Sequence, residues 1–189
     1  LAPLVQRGVV QASDIVATLA VAPSGAGRAL REDLLAAERI SSAKAYAVGG
    51  SHRHIPEIDQ VLRQAGAEHV TLTLTPILTP LSRGILAVTS AMLLPGVSES
   101  DVHEVLTDVY GEEPFIDLVG HGALPSTGSV LGSNTISMGV ALDQQVGRIT
   151  IVSALDNLVK GTAGAALQSL NIALGWEETA GLTAVGVAP

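Results

Sequence analysis

The chain has 189 residues and a mass of 19.2 kDa, which suits one domain, or one domain plus a fragment of another. Its 47% apolar content supports a sizeable core and excludes disorder, and with only Tyr46, Tyr110, Phe115 and Trp176 aromatic, that core has to be aliphatic. Ten Lys and Arg against eighteen Asp and Glu leave a net charge of −8, without the basic face or aromatic platform of a nucleic-acid binder.

There is no cysteine, so this chain supplies no disulfide, no Cys-type zinc site and no thiol nucleophile. The most apolar stretch, 84–97, is broken by Thr89, Ser90, Pro95 and Gly96 and is too short to span a bilayer. No basic segment leads into an apolar one, so no secretory signal is expected. The chain opens on Leu1-Ala2-Pro3-Leu4-Val5, without Met and already inside an apolar pattern, which reads as a cut through a larger protein.

Residues 1–10 read as the tail of a helix that Arg7-Gly8 stops. A strand is expected over 15–22, then Ser24-Gly25-Ala26-Gly27-Arg28 and a helical pattern through Leu30, Leu34 and Leu35. Gly49-Gly50-Ser51 suits a loop. Pro56 fits the first turn of a helix with Ile58, Val61, Leu62 and Ala65 on one face and Gly66 closing it. Val70, Leu72 and Leu74 alternate with threonines in a half-buried strand, and a further strand is expected from Gly84 to about Leu94.

Ser98 can cap a helix carrying Val102, Val105, Leu106 and Val109, with Gly111 after it. Alternation over 136–142 and 149–152, around a loop from Asp143 to Gly147, predicts a hairpin. The apolar run from Leu158 to Leu174 predicts one buried helix. Strands in runs with helices between them give an α+β fold: a mixed, largely antiparallel sheet with helices on one face. The opposite face is expected to carry Thr71, Thr73, Thr135, Ser137 and Thr150 and to suit flat contact between sheets.

His52-Arg53-His54 is the sharpest local feature. In an extended segment both imidazoles would face one site. Zinc would need further ligands, and Glu57 is the only one nearby, so no metal is expected; acid–base chemistry needs only one ring. A pair of surface histidines beside a helix start reads equally well. Ser24 to Arg28 could offer N–H groups and a guanidinium to an anion, or simply enter a helix. Residues 156–164 put polar groups at the mouth of an apolar helix, where Asp156 or Asn157 would cap. Ser82-Arg83-Gly84 and Gly132-Ser133-Asn134 can line a cleft or make turns. His69, His103 and His121 show no partner pattern.

Taken in order, Ser24-Gly-Ala-Gly-Arg28, Tyr46, His52-Arg-His-Ile-Pro-Glu57, Thr75-Pro76, Ser82-Arg-Gly-Ile-Leu86, Glu113-Pro-Phe115, Gly132-Ser-Asn134 and Asp156-Asn-Leu-Val-Lys-Gly161 closely resemble the N-acetyl-γ-glutamyl-phosphate reductases of arginine biosynthesis. The resemblance covers almost the whole chain. It implies the C-terminal catalytic and dimerisation part of an enzyme related to aspartate-semialdehyde and glyceraldehyde-3-phosphate dehydrogenases, cytoplasmic and with an NADP-binding Rossmann domain ahead of it. On that division, 1–12 is a helix tail from the missing part, 13–155 the α+β domain, and 156–189 a helix and tail packing on the Rossmann domain.

The resemblance also implies the chemistry. A cysteine thiolate displaces phosphate from an acyl phosphate, NADPH reduces the thioester, and the semialdehyde leaves. His54 comes first, and His52 second, as the acid–base group, with Tyr46 orienting the pair. Arg83 and Glu57 hold the substrate's carboxylate and amide ends. Ser24 and Gly25 line the phosphate or cofactor side, and Asn157 with Gly161 approaches the nicotinamide. A homo-dimer or tetramer is implied, with no nucleic acid, membrane or metal partner.

Two departures stand out. The family's Gly-Cys-Tyr-Pro-Thr segment would precede Leu1 and is absent, and Val21-Ala22 replaces its Ser-Gly. Two alternatives stay open: the same chemistry on N-acetyl-aminoadipyl or aspartyl phosphate, and a non-catalytic oligomerisation module.

Overall fold

The computed structural model describes residues 1–27, 32–35 and 40–187. Seven strands among them form one mixed sheet: β1 (Ile15–Val21), β2 (Lys44–Ala45), β3 (Leu72–Leu78), β4 (Ile85–Met92), β5 (Ile116–Leu118), β6 (Ile136–Asp143) and β7 (Arg148–Leu155). Their order is β2-β3-β1-β4-β7-β6-β5; β1–β3 and β5–β6 are parallel and the other pairs antiparallel. This is the α+β architecture that the alternating runs predict.

Three helices cover one face: α1 (Ala2–Gln6), α2 (Ile55–Gln64) and α3 (Glu99–Tyr110). Their apolar stripes meet the inward residues of the sheet in a core that includes Leu4, Ile15, Leu62, Val102, Leu106 and Ile149. α3 starts in a capping box, in which Ser98 Oγ accepts from the Asp101 N–H and Asp101 Oδ2 accepts from the Ser98 N–H. Gly111 follows it in a right-handed conformation, not as a left-handed stop. Gly66, at φ +100°, does turn the chain away after α2.

The hairpin of β6 and β7 pairs Ile136 with Leu155 and Val140 with Ile151. Asp143 is the last residue of β6, and its Oδ1 accepts the N–H groups of Gln145 and Val146, so its side chain builds the turn. β3 runs past the expected end at residue 75 to include Pro76. The Pro76 carbonyl accepts the Tyr46 N–H just where the two-residue β2 stops, so proline's missing donor falls on a side with no ladder to break.

The expected single helix over 158–174 is two pieces. A π-helical turn, Val159–Ala163, precedes α4 (Gly164–Ala173). Gly164 has no room for a side chain: a Cβ would run into Asn134 Oδ1 and lie 2.8 Å from Val159 Cγ1. The chain after α4 returns to the sheet, where Asn134 N–H donates to Thr183 O, Thr135 Oγ1 to Ala184 O and Val187 N–H to Leu131 O.

The face opposite the helices corrects part of the expectation. Thr73 and Thr150 do lie there, with Val16, Thr18, Thr75, Val88 and Ser90 beside them. Thr71 instead precedes β3 and accepts the Asp14 N–H, and Thr135 precedes β6. Ser137 is buried and donates to Asp117. Gly139 is covered too, by Ala123, Val119 and Pro125. The open part is thus centred on β1 and β4, where Val16 and Val88 are 39% and 38% exposed.

Candidate active site

β1 ends at Val21, opposite the start of β4 at Ile85, which in turn faces the end of β7 at Leu155. Everything that follows β1 or β7, or precedes β4, is therefore gathered at one end of the sheet. Ser24 and Gly25, Arg83 and Gly84, and Asp156 and Asn157 meet there from three remote stretches of sequence.

Asn157 joins them. Its buried side chain accepts the Gly84 N–H at Oδ1 (2.6 Å) and donates from Nδ2 to Ser24 Oγ (3.0 Å). A Cβ at Gly25 would lie 3.4 Å from the same Nδ2. Gly161 is exposed in the π turn, its N–H bonded to Asp156 O. Asp156 performs the capping, accepting the N–H groups of Leu158 and Val159 at Oδ1.

Asp156 is fully buried, and its carboxylate also receives the Gly132 N–H (2.7 Å) and Arg83 Nη2 (3.0 Å). Burial pushes this carboxyl up. The bonds from Gly132, Val159, Arg83 and Leu158 outweigh it and hold the group below the usual carboxylate range. Arg83 is anchored by one nitrogen, while about a third of its side chain reaches solvent. Gly132-Ser133-Asn134 makes a buried turn: Ser133 Oγ donates to Val130 O, and Asn134 Nδ2 to Gln168. Arg28 and Leu30 lie outside the described residues.

A second group surrounds the start of α2. Residues 52–54 form a turn, not the expected extended segment, with His54 in the right-handed region at φ −82°. The rings meet all the same, edge to face with centroids 4.8 Å apart, and Tyr46 lies 6.0 Å from His52. His52 Nδ1 accepts the His54 N–H (3.2 Å), which leaves the neutral ring its proton at Nε2. Burial, then the charges of His54 and Arg53, push the His52 pKa down against the pull of Glu57. Burial pushes the Tyr46 phenol up, partly offset by Arg53.

His54 and Glu57 both line a cavity of about 540 Å³ over the helix-covered face, walled by Ile15, Ala17, Ile58, Leu72 and Thr89. A titratable ring and a carboxylate at the rim of an apolar cavity can pass a proton and orient a polar ligand. The structure thus collects the expected residues into two groups: Ser24, Gly25, Arg83, Asn157 and Gly161, and Tyr46, His52, His54 and Glu57. It adds Asp156 as the anchor of Arg83. A third constellation, Glu99, His103 and His121, joins α3 to a loop more than ten residues on. Its only trace in the sequence is the four-residue spacing of Glu99 and His103.

The sequence pattern of the family described as "Semialdehyde dehydrogenase, dimerisation domain" matches residues 1–157. The chain belongs to that family. Over all 189 residues it is 54% identical to an N-acetyl-gamma-glutamyl-phosphate reductase of Leifsonia xyli subsp. xyli (54% of that protein's length). It is 50% identical to the enzyme of the same name from Micrococcus luteus (55% of its length). The chain therefore spans about half the length of the curated relatives it matches. Among solved structures, aspartate semialdehyde dehydrogenase II of Vibrio cholerae superposes with a TM-score of 0.71 at 14% identity, covering 93% of this chain and 59% of that one. A probable aspartate-semialdehyde dehydrogenase of Pseudomonas aeruginosa gives 0.66 at 22% identity, over 90% and 57%. Both share the fold of this chain. Among the described residues, no helix is long and apolar enough to cross a membrane.

Proposed function

We propose that the chain is the catalytic and dimerisation part of an NADPH-dependent reductase converting N-acetyl-γ-glutamyl phosphate to the semialdehyde and phosphate. The observation that carries this reading is the end-to-end alignment with two proteins of that name at 54% and 50% identity. In this reading the reacting thiol and the dinucleotide-binding domain belong to residues preceding Leu1, and the enzyme works in the cytoplasm, the latter resting on the resemblance alone.

His54 takes and returns the proton at the cavity rim. His52, neutral and bonded to the His54 backbone, fixes the ring beside it, and Tyr46 backs His52. Glu57 orients the substrate's amide end. Arg83 holds the substrate carboxylate with the part of its guanidinium that Asp156 leaves over, a narrower grip than a free fork would give.

The residues fit one edge of a nicotinamide cofactor. Gly25 and Gly161 are exposed and without Cβ beside Asn157, which keeps one Nδ2 hydrogen for a carboxamide carbonyl after giving the other to Ser24. Bound there, the cofactor supplies hydride. The open face around Val16 and Val88 is suited to pairing two copies sheet to sheet, in keeping with the family's description.

The test is phosphate-dependent NADP reduction by the full-length protein, run in the reverse direction with N-acetylglutamate semialdehyde. Equal or better kcat/KM with the one-methylene-longer or the unacetylated four-carbon semialdehyde would overturn the substrate. No turnover with any of the three would leave the oligomerisation module.

A further inference from the structure

Glu99 and His103 stand one turn apart on α3, at the spacing that puts two side chains on one face of a helix. His121 reaches them from the loop after β5. Its ring stacks on that of His103, with centroids 5.6 Å apart and 26° between the planes. Both Nε2 atoms turn toward one carboxylate oxygen: Glu99 Oε1 is 2.7 Å from His121 Nε2 and 3.7 Å from His103 Nε2. The three ligand atoms all lie within 4.8 Å of one another.

Hydrogen bonding alone leaves this cluster incomplete. His103 Nε2 is buried and, among the described residues, has no hydrogen-bond partner. A buried polar atom in that state calls for a partner, and the Glu99 oxygen has already been drawn to His121. A cation between the three would satisfy both rings and the carboxylate together. The spacing fits: bonds of about 2.0–2.2 Å in a tetrahedral site set ligand atoms about 3.3 Å apart. The two separations from Glu99 bracket that value, and the third, within 4.8 Å, closes as the exposed His121 ring turns toward the ion.

We propose that Glu99, His103 and His121 form a three-ligand site for a divalent transition metal of the zinc class. Two imidazoles and one carboxylate suit zinc, cobalt or nickel, whereas magnesium and calcium call for more oxygen donors. The His121 side chain is 74% exposed, so a fourth position faces solvent. A cavity of about 230 Å³ lies alongside, lined by His103, His121, Leu118 and Gly139. The bound ion ties α3 to the loop whose Val119 and Ala123 cover Gly139 of β6, fastening that loop to the core.

The experiment is calorimetric titration of Zn²⁺ into the purified full-length protein carrying His52→Gln and His54→Gln, which removes the other histidine pair as a competing site. One equivalent should bind. His121→Ala and His103→Ala should each weaken binding by more than the ~100-fold that loss of a mere outer-shell partner can cost. Zn²⁺ should raise the melting temperature of the parent and not of His121→Ala. Cobalt should give the visible absorption of a four-coordinate ion in the parent alone. His121 sits on an exposed loop, so its removal leaves the fold intact, and unchanged circular dichroism checks this. No saturable binding in the parent, or undiminished binding in His121→Ala, overturns the site.

Discussion

The carboxylate of Asp156 and the guanidinium of Arg83 meet at 3.0 Å across the end of the sheet, the acid fully buried and the base about one-third exposed. Their roles are unequal. Asp156 also gathers three backbone N–H groups, whereas Arg83 keeps part of its charge toward solvent.

Asp156→Ala should therefore be the most damaging single change at this end of the molecule. It strands the N–H groups of Gly132, Leu158 and Val159 along with the Arg83 charge. Breaking a buried pair costs about 3–5 kcal/mol, and solvent access at Arg83 puts this case at the lower end. Because the folded-state pKa is depressed, the contribution is present above the ordinary carboxylate range and is lost as pH falls through the lowered value. Urea unfolding of Asp156→Ala and wild type at neutral pH measures it; a difference below about 1 kcal/mol would mean the hub bears little weight.

His54→Ala in the full-length protein should lower kcat by roughly 10²–10⁴, the usual contribution of a positioned acid–base group. Binding of NADPH should be unaffected. A loss of less than about threefold would move the role to His52 or to water.

His52 should titrate below about 6.5, its ordinary value, in an NMR pH series. The unfolded chain then takes up this proton first as pH falls. His52 thus costs the folded state nothing at neutral pH and destabilises it progressively below about pH 6.5. His52→Gln should flatten that part of the stability curve. An unchanged acid limb would remove the argument.

Gly164→Ala sets two effects against each other. Intrinsic helix propensity favours alanine by about 1 kcal/mol, but the new methyl meets Asn134 and Val159 in a filled space, where overpacking costs about 1–3 kcal/mol. Overpacking should win. Thermal melting decides the sign, and a rise in Tm would show that the π turn yields.

Val88→Asp places a charge at the middle of the open face without touching the helix-covered core. If two copies pair through this face, light scattering should find dimer in the wild type and monomer in the variant. A dimer that survives the substitution must use another surface.

Local chemistry was the part of this fold most legible in the sequence. The Ser98 cap, Pro56 at the start of α2 and the alternation through β6 and β7 each carry their signal within a few residues. What escaped depends on distant partners. Pro76 reads as the end of a strand until the position of β2 shows that its nitrogen lies beyond the ladder. The parallel alignment of β1 with β3 leaves no mark on either strand. The candidate site divides in the same way. His52 and His54 announce themselves as neighbours, although through a turn and not an extended segment. The sequence offers Asp156 or Asn157 as a helix cap, whereas the hold of Asp156 on Arg83 and Gly132 depends on strands that are remote in sequence. Of Glu99, His103 and His121, the sequence shows only the four-residue spacing of the first two, because a loop, not a repeat spacing, brings in the third.

The strand order also governs how the chain leaves the ribosome. β4 is mostly aliphatic, with Thr89 and Ser90 its only polar side chains, and sits between β1, made long before it, and β7, made long after it. Synthesis proceeds at roughly 5–20 residues per second, so the second edge of β4 waits several seconds for Arg148–Leu155 to emerge. Throughout that interval a β-prone edge with no charged side chain from Ile85 to Met92 is available to other nascent chains. Production in a heterologous host should hence be limited by aggregation during synthesis, and slowing initiation or lowering temperature should recover more protein than stabilising the finished fold.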